Sequence, residues 1–76
     1  MSEDSEKRVV VHLKDGNKVA SEYMEEEAAQ AEFERILAEK PGQGPVNEII
    51  RVGKTAAFKS GDFSRIELQD PPVLIA

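Results

Sequence analysis

The segment 25–40, EEEAAQAEFERILAEK, constrains the fold most, because it is the one stretch with a clear helical period. Its apolar residues recur at i, i+4, i+7 and i+8, and they are Ala29, Phe33, Ile36 and Leu37. The aliphatic stem of Lys40 continues this stripe at i+11, so one face of the helix is apolar. A lone helix of this length is marginal in water, and the pattern therefore predicts an amphipathic helix that needs a partner surface.

The end of this helix is better defined in the sequence than its start. Pro41 disfavours a helical conformation at Lys40, and the glycines and proline that follow predict a loop over 42–45. Ser21 could cap a helix that begins at Glu22, but the apolar stripe does not extend backward to Glu22. We therefore expect the helix to begin near Glu25.

Two strands are predicted before the helix. The β-branched run RVVVHL indicates a strand over 8–13, and 14–17 form a turn before a return strand over 18–24. If Gly16 takes the left-handed position of a type I turn with a bulge, Val11 lies opposite Val19 and Val9 lies opposite Ser21.

In this register one strand face is apolar and suits the helix. Its residues are Val9, Val11, Leu13, Val19 and Tyr23. A two-residue Asp-Gly turn would instead place Val19 opposite His12 and split the apolar set over both faces. We favour the bulged turn, because a shift of one residue reverses the face of every side chain.

Beyond the loop, the sequence predicts strands over 46–52 and 55–59 and a short strand within 63–68, with breaks at 53–54 and 60–62. Alternation adds Ile50, Val52, Ala56, Phe58, Ile66 and Leu68 to the core. The predicted fold class is α+β: a two-layer sandwich in which one helix packs on an antiparallel sheet of four to five strands, with chain order β-β-α-β-β-β. Residues 1–7 are expected to be a disordered lead-in, 8–69 a single domain, and 70–76 an apolar tail that contains prolines.

Composition limits the chemistry that this chain can perform. Its 76 residues carry a formal charge of −5, one histidine and no cysteine, which excludes disulfides, thiolate nucleophiles and cysteine-based metal sites. No motif for a phosphate loop or a nucleophile is present, so we expect neither an enzyme nor a cofactor or metal site. The start MSEDSEKR lacks the apolar core of a signal peptide, and no run approaches the roughly 20 apolar residues that span a bilayer. The expectation is a soluble cytoplasmic domain.

The sheet face opposite the helix supplies the candidate partner-binding residues. Alternation places Val10, Ile49 and Ala57 there, together with His12. Basic residues also gather in the C-terminal half, at Arg51, Lys54, Lys59 and Arg65. The apolar tail residues Val73, Leu74 and Ile75 complete the candidates. The sequence leaves three alternatives for them: they cover this face, pair with a sheet edge of this or another molecule, or are disordered.

Two functions from different classes follow. The first is a small non-catalytic protein–protein interaction or regulatory module, whose partner is an unidentified protein or a second copy of the chain. The alternative is a weak nucleic-acid-binding domain that uses the basic patch of the C-terminal hairpin. The acidic residues of the helix, which include Glu32, Glu34 and Glu39, form either a solvated face or a docking surface for a basic partner.

Overall fold

The computed structural model describes residues 6–71 of the chain. Its elements in chain order are β1 (Glu6–Leu13), β2 (Lys18–Ala20), β3 (Met24–Glu25), α1 (Glu26–Ala38), β4 (Ile49–Val52), β5 (Ala56–Lys59), a 3₁₀ turn (Ser60–Asp62) and β6 (Phe63–Gln69). The predicted α+β class is confirmed, with one helix on antiparallel strands. The expected lead-in over 1–5 and the tail with Val73, Leu74 and Ile75 lie outside the described residues, whereas residues 6 and 7 already belong to β1.

The bulged turn predicted between the first two strands is present. Gly16 adopts a φ of +93°, and its N–H donates to the carbonyl of Leu13 at 3.1 Å. Val11 lies opposite Val19 as predicted. Ser21 reaches the expected place beside Val9, since the Ser21 N–H donates to the Val9 carbonyl at 2.9 Å.

The return strand is interrupted after Ser21, and this interruption overturns the prediction for Tyr23. The Ser21 hydroxyl accepts the N–H of Val9 and donates to the Glu22 carbonyl, both at 2.9 Å, so it replaces a backbone partner. When pairing resumes in β3, Lys7 lies opposite Met24, which is a shift of one residue. Tyr23 therefore joins the face away from the helix, where the Arg8 guanidinium lies 5.1 Å from its ring centroid.

The strands divide into two sheets. In the larger sheet β1 pairs with β2 and β3, and β6 pairs antiparallel with β1, from Arg8 opposite Gln69 to Leu13 opposite Phe63. β4 and β5 form a separate two-stranded hairpin. β6 is longer than the short strand predicted, because β1 holds it along most of its length.

The core lies between α1 and the two sheets. Its buried residues are Val9, Val11, Ile36, Ile50, Val52 and Phe58. The predicted inward residues Ala56, Ile66 and Leu68 pack against it. Full burial of one such aliphatic side chain contributes about 1.5–3 kcal/mol.

The helical stripe is confirmed at its centre and fails at its margin. Ala29 and Ile36 are fully buried and Phe33 packs on the core, but Leu37 is 43% exposed. Because successive helical residues are turned by about 100°, a helix that points Ile36 at the sheet turns Leu37 away from it. Within the described range the helix is too short and too polar to cross a membrane.

Candidate partner-binding surface

The outer side of the β4–β5 hairpin presents four exposed side chains together. Ile49 lies opposite Lys59, and Arg51 lies opposite Ala57. Directly opposed residues in an antiparallel pair share one face, so these four form a single surface. The alternate residues Ile50 and Phe58 point into the core. We refer to Ile49, Arg51, Ala57 and Lys59 as the hairpin face.

The hairpin face combines exposed apolar area with positive charge. Ile49 is 58% exposed, and Val46, in the segment leading into β4, is 63% exposed. The segment 49–59 contains Arg51, Lys54 and Lys59 and no carboxylate. None of these three cations has a carboxylate within 4.0 Å among residues 6–71. The surface therefore offers an apolar centre beside charges that are not neutralised within this part of the chain.

The helix fixes the position of the hairpin through two of its polar residues. The carboxylate of Glu32 accepts the N–H of Gly53 at 2.8 Å, and the Arg35 guanidinium donates to the Arg51 carbonyl at 2.6 Å. Glu32 and Arg35 also pair with each other at 2.5 Å. The hydrogen bond from Arg35, followed by that from the Gly53 N–H, lowers the pKa of Glu32 below its usual range. Glu32 is thus engaged by the hairpin rather than free on the acidic helix face.

The hairpin turn also packs closely on the chain that follows β2. Gly53 has a φ of +67°, and a β-carbon at this position would lie 2.8 Å from the Ser21 Cβ. The next N–H, of Lys54, donates to the Glu22 carboxylate at 3.2 Å. Only glycine combines this backbone conformation with so close an approach.

The opposite end of the hairpin is held by a buried serine. The Ser60 hydroxyl accepts the N–H of Gly42 at 2.9 Å, and the Ser60 N–H donates to the Glu48 carbonyl at 2.8 Å. The N–H of Gly61 donates to the Val46 carbonyl at 3.0 Å. These bonds hold the loop that carries the exposed Val46 against the end of the hairpin.

Three other predicted residues lie on the larger sheet. Val10 is only 1% exposed, between its ladder neighbours Ala20 and Glu67, and it is not accessible to a partner. The ring of His12 hydrogen-bonds to the Glu67 carboxylate through Nε2 at 2.7 Å. Arg65 lies 3.8 Å from the same carboxylate.

His12 and Glu67 form a hydrogen-bonded pair on the larger sheet. The hydrogen bond from His12 lowers the pKa of Glu67, and the charges of Arg65 and Lys18 act in the same direction. Among the hydrogen bonds of the described side chains, the ring of His12 has the Glu67 carboxylate as its partner. Residues 6–71 likewise contain no group of three potential metal ligands.

The structure therefore brings together some of the predicted residues and separates others. Ile49, Arg51 and Lys59 share the hairpin face, whereas Val10, His12 and Arg65 lie on the larger sheet. Val46 was not predicted as a surface residue, because the sequence placed it at the start of a strand over 46–52. That prediction is wrong at its start, since β4 begins at Ile49 and Val46 lies in the loop before it. The hairpin contacts of Glu32 and Arg35 were also missed, since their spacing on the helix indicates only pairing with each other. Comparisons with protein-family models, with curated proteins and with solved structures found no match to this chain.

Proposed function

We propose that this chain is a small non-catalytic interaction module that binds an acidic segment of a partner protein through the hairpin face. The observation that carries the proposal is the exposed Ile49, which lies opposite Lys59 and two residues from Arg51, on a rigidly held hairpin. A complementary partner presents an apolar side chain to Ile49 and carboxylates to the two cations.

The two parts of this surface have different roles in binding. Burying Ile49 supplies affinity, since a fully buried aliphatic side chain contributes about 1.5–3 kcal/mol. Arg51 and Lys59 supply orientation and association rate more than affinity. The hairpin segment 49–59 carries +3 while the whole chain carries −5, so the remainder carries −8. This polarity directs an acidic partner to the hairpin and away from the helix.

Nucleic-acid binding is the alternative for the same cations. Arg65 does not support it, because that residue lies on β6 beside Glu67 and not on the hairpin. Phe58 points into the core, so the hairpin face offers no aromatic platform for a base. An acidic peptide therefore fits this surface better than a nucleic acid does.

The test is an NMR titration of the ¹⁵N-labelled protein with a synthetic peptide that contains one leucine flanked by aspartates. We expect changes in amide chemical shift to concentrate at the hairpin face, that is, at Ile49, Arg51, Ala57 and Lys59. A peptide that has asparagine in place of aspartate should change these chemical shifts little. A single-stranded oligonucleotide is titrated in parallel. Peptide shifts located outside the hairpin would refute the proposal, and tighter, strongly salt-dependent binding of the oligonucleotide would favour the alternative.

Variants separate binding from folding. Lys59→Glu should weaken the peptide complex roughly three- to tenfold, because it replaces an attraction by a repulsion. Lys14→Glu makes the same charge change in the exposed turn between β1 and β2 and is the matched control. Ile49→Ala should weaken binding while unfolding free energy changes by less than about 0.5 kcal/mol, since the residue is mostly exposed. Equal binding by the Lys59 and Lys14 variants would contradict the assigned surface.

A further inference from the structure

The second surface suited to a partner is the outer edge of β6. This strand extends over Phe63–Gln69, and within residues 6–71 it pairs with β1 alone. The direction of its backbone groups follows from the ladder of β1. The carbonyl of Val9 bonds to Ser21 on the β2 side, so Val10, the next residue, directs its groups toward β6 and its partner Glu67.

Alternation then assigns the remaining groups of β6. Arg65, Glu67 and Gln69 bond toward β1, and Ile66 and Leu68 direct their N–H and C=O groups outward. A bulge at Ser64 disturbs the start of the strand and leaves Arg65–Gln69 in regular register. This regular stretch contains neither proline nor lysine, two residues that commonly protect edge strands from pairing.

The side chains along this edge are complementary to themselves. Arg65 and Glu67 lie on either side of Ile66, and both point to the sheet face away from the helix. If a second copy pairs antiparallel with Ile66 opposite Ile66, each Arg65 lies opposite Glu67 of the second copy. The outward N–H and C=O groups of the two Ile66 residues then hydrogen-bond to each other across the two-fold axis. The outward backbone groups of Leu68 face Ser64 of the second copy.

The geometry points to a symmetric dimer in which the β6 edges of two copies join antiparallel, centred on Ile66, to form one continuous sheet. Such an interface is isologous and closes after two copies. Opposite charges in directly opposed positions favour this register, and a shift of two residues would place like charges or uncharged side chains there. Arg65 has 63% of its side chain exposed, and its contact with Glu67 of its own copy is long at 3.8 Å, so its guanidinium is also accessible to the second copy.

The first test is light scattering after gel filtration over a series of concentrations at about 0.15 M salt, where repulsion between two acidic copies is screened. The expected mass rises toward twice 8.4 kDa as concentration increases. Arg65→Glu should weaken the dimer by about tenfold or more, because two attractions become repulsions. The double variant Arg65→Glu/Glu67→Arg restores opposite charges and should recover the dimer, which a purely structural effect of either change would not produce.

A second test measures the register directly and does not depend on charge. The chain contains no cysteine, so Arg65→Cys and Glu67→Cys variants carry the only thiols. In this register opposed Cα atoms lie roughly 4.5 Å apart, within the range of a disulfide. A mixture of the two variants should crosslink faster than either alone. Circular dichroism verifies that each variant is folded.

The dimer proposal is independent of the hairpin function, and the experiments keep the two apart. Lys59→Glu should leave the mass distribution unchanged, while Arg65→Glu should leave binding of the acidic peptide unchanged. A monomer mass at all concentrations up to about 1 mM, or no recovery in the double variant, would overturn the β6 dimer. Either result would leave the hairpin proposal standing.

Discussion

Replacing Gly53 by alanine tests the close contact between the hairpin turn and the larger sheet. The added methyl group must be accommodated at a φ of +67° and against three atoms. It lies 2.5 Å from the Glu22 carboxylate, 2.8 Å from the Ser21 Cβ and 3.2 Å from the Ser21 Cα. The carboxylate is the end of a flexible side chain, but Ser21 is held by its hydrogen bonds to Val9 and Glu22.

The expected magnitude has three parts. The left-handed conformation costs alanine about 1–2 kcal/mol. Overpacking against a fixed neighbour costs a further 1–3 kcal/mol or so. Reduced freedom of the unfolded chain offsets roughly 0.4–1 kcal/mol. We therefore expect Gly53→Ala to lower the free energy of unfolding by about 1–5 kcal/mol.

Gly16→Ala is the matched control, because Gly16 also has a positive φ, of +93°, but a β-carbon there meets nothing within 4 Å. Its expected loss is only about 1 kcal/mol, from conformation alone. Urea denaturation followed by circular dichroism gives both values, provided that the slope is unchanged. If Gly53→Ala costs no more than Gly16→Ala, the turn does not pack on Ser21 as described and the reasoning fails.

Two further predictions concern the core and the clamp on the helix. Ile50→Ala should lower the free energy of unfolding, measured by urea denaturation, by about 2–5 kcal/mol, because Ile50 is 2% exposed. Ile49→Ala, at the neighbouring exposed position, should lower it by less than about 0.5 kcal/mol. Similar losses of stability in the two variants would contradict the assigned faces. The pKa of Glu32 is lowered in the folded state, by Arg35 first and then by the Gly53 N–H. The ionised Glu32 carboxylate therefore stabilises the folded state at pH values above its ordinary pKa of 4.5, and this stabilisation is lost as pH falls through the lowered pKa. Stability measured against pH should therefore show wild type and Glu32→Gln converging in acid, and a constant difference down to pH 2 or so would exclude the linkage.

The parts of the fold that the sequence predicted are those governed by local periodicity. Gly16 and the alternating valines determined the turn and the register of β1 with β2, because any shift would have exposed the apolar face. Tyr23 was placed on the wrong face, since alternation assumes an unbroken ladder. The Ser21 hydroxyl substitutes for a backbone group there, and a serine within a strand pattern does not by itself predict such an interruption.

The candidate surface was predicted only in part for a related reason. Alternation correctly placed Ile49 and Ala57 on one outward face, but it contains no information on which sheet a strand joins. Arg65 was grouped with them because it is near in sequence, whereas its strand pairs with β1. Pairing between distant segments depends on the whole packed core, which no local pattern encodes.

The central position of β1 has a consequence for how the chain reaches its native state. Its neighbour β2 follows after a short turn, whereas Gln69 of β6 is 61 residues from its partner Arg8. Closing the short loop costs little entropy. Closing the long loop costs more, and contacts offset this cost only when the core assembles. We expect the β1–β2 hairpin to be structured in the folding transition state and β6 to pair with β1 late. The outer edge of β6 is then the last part of the sheet to form. Substitutions in β6 should therefore mainly accelerate unfolding.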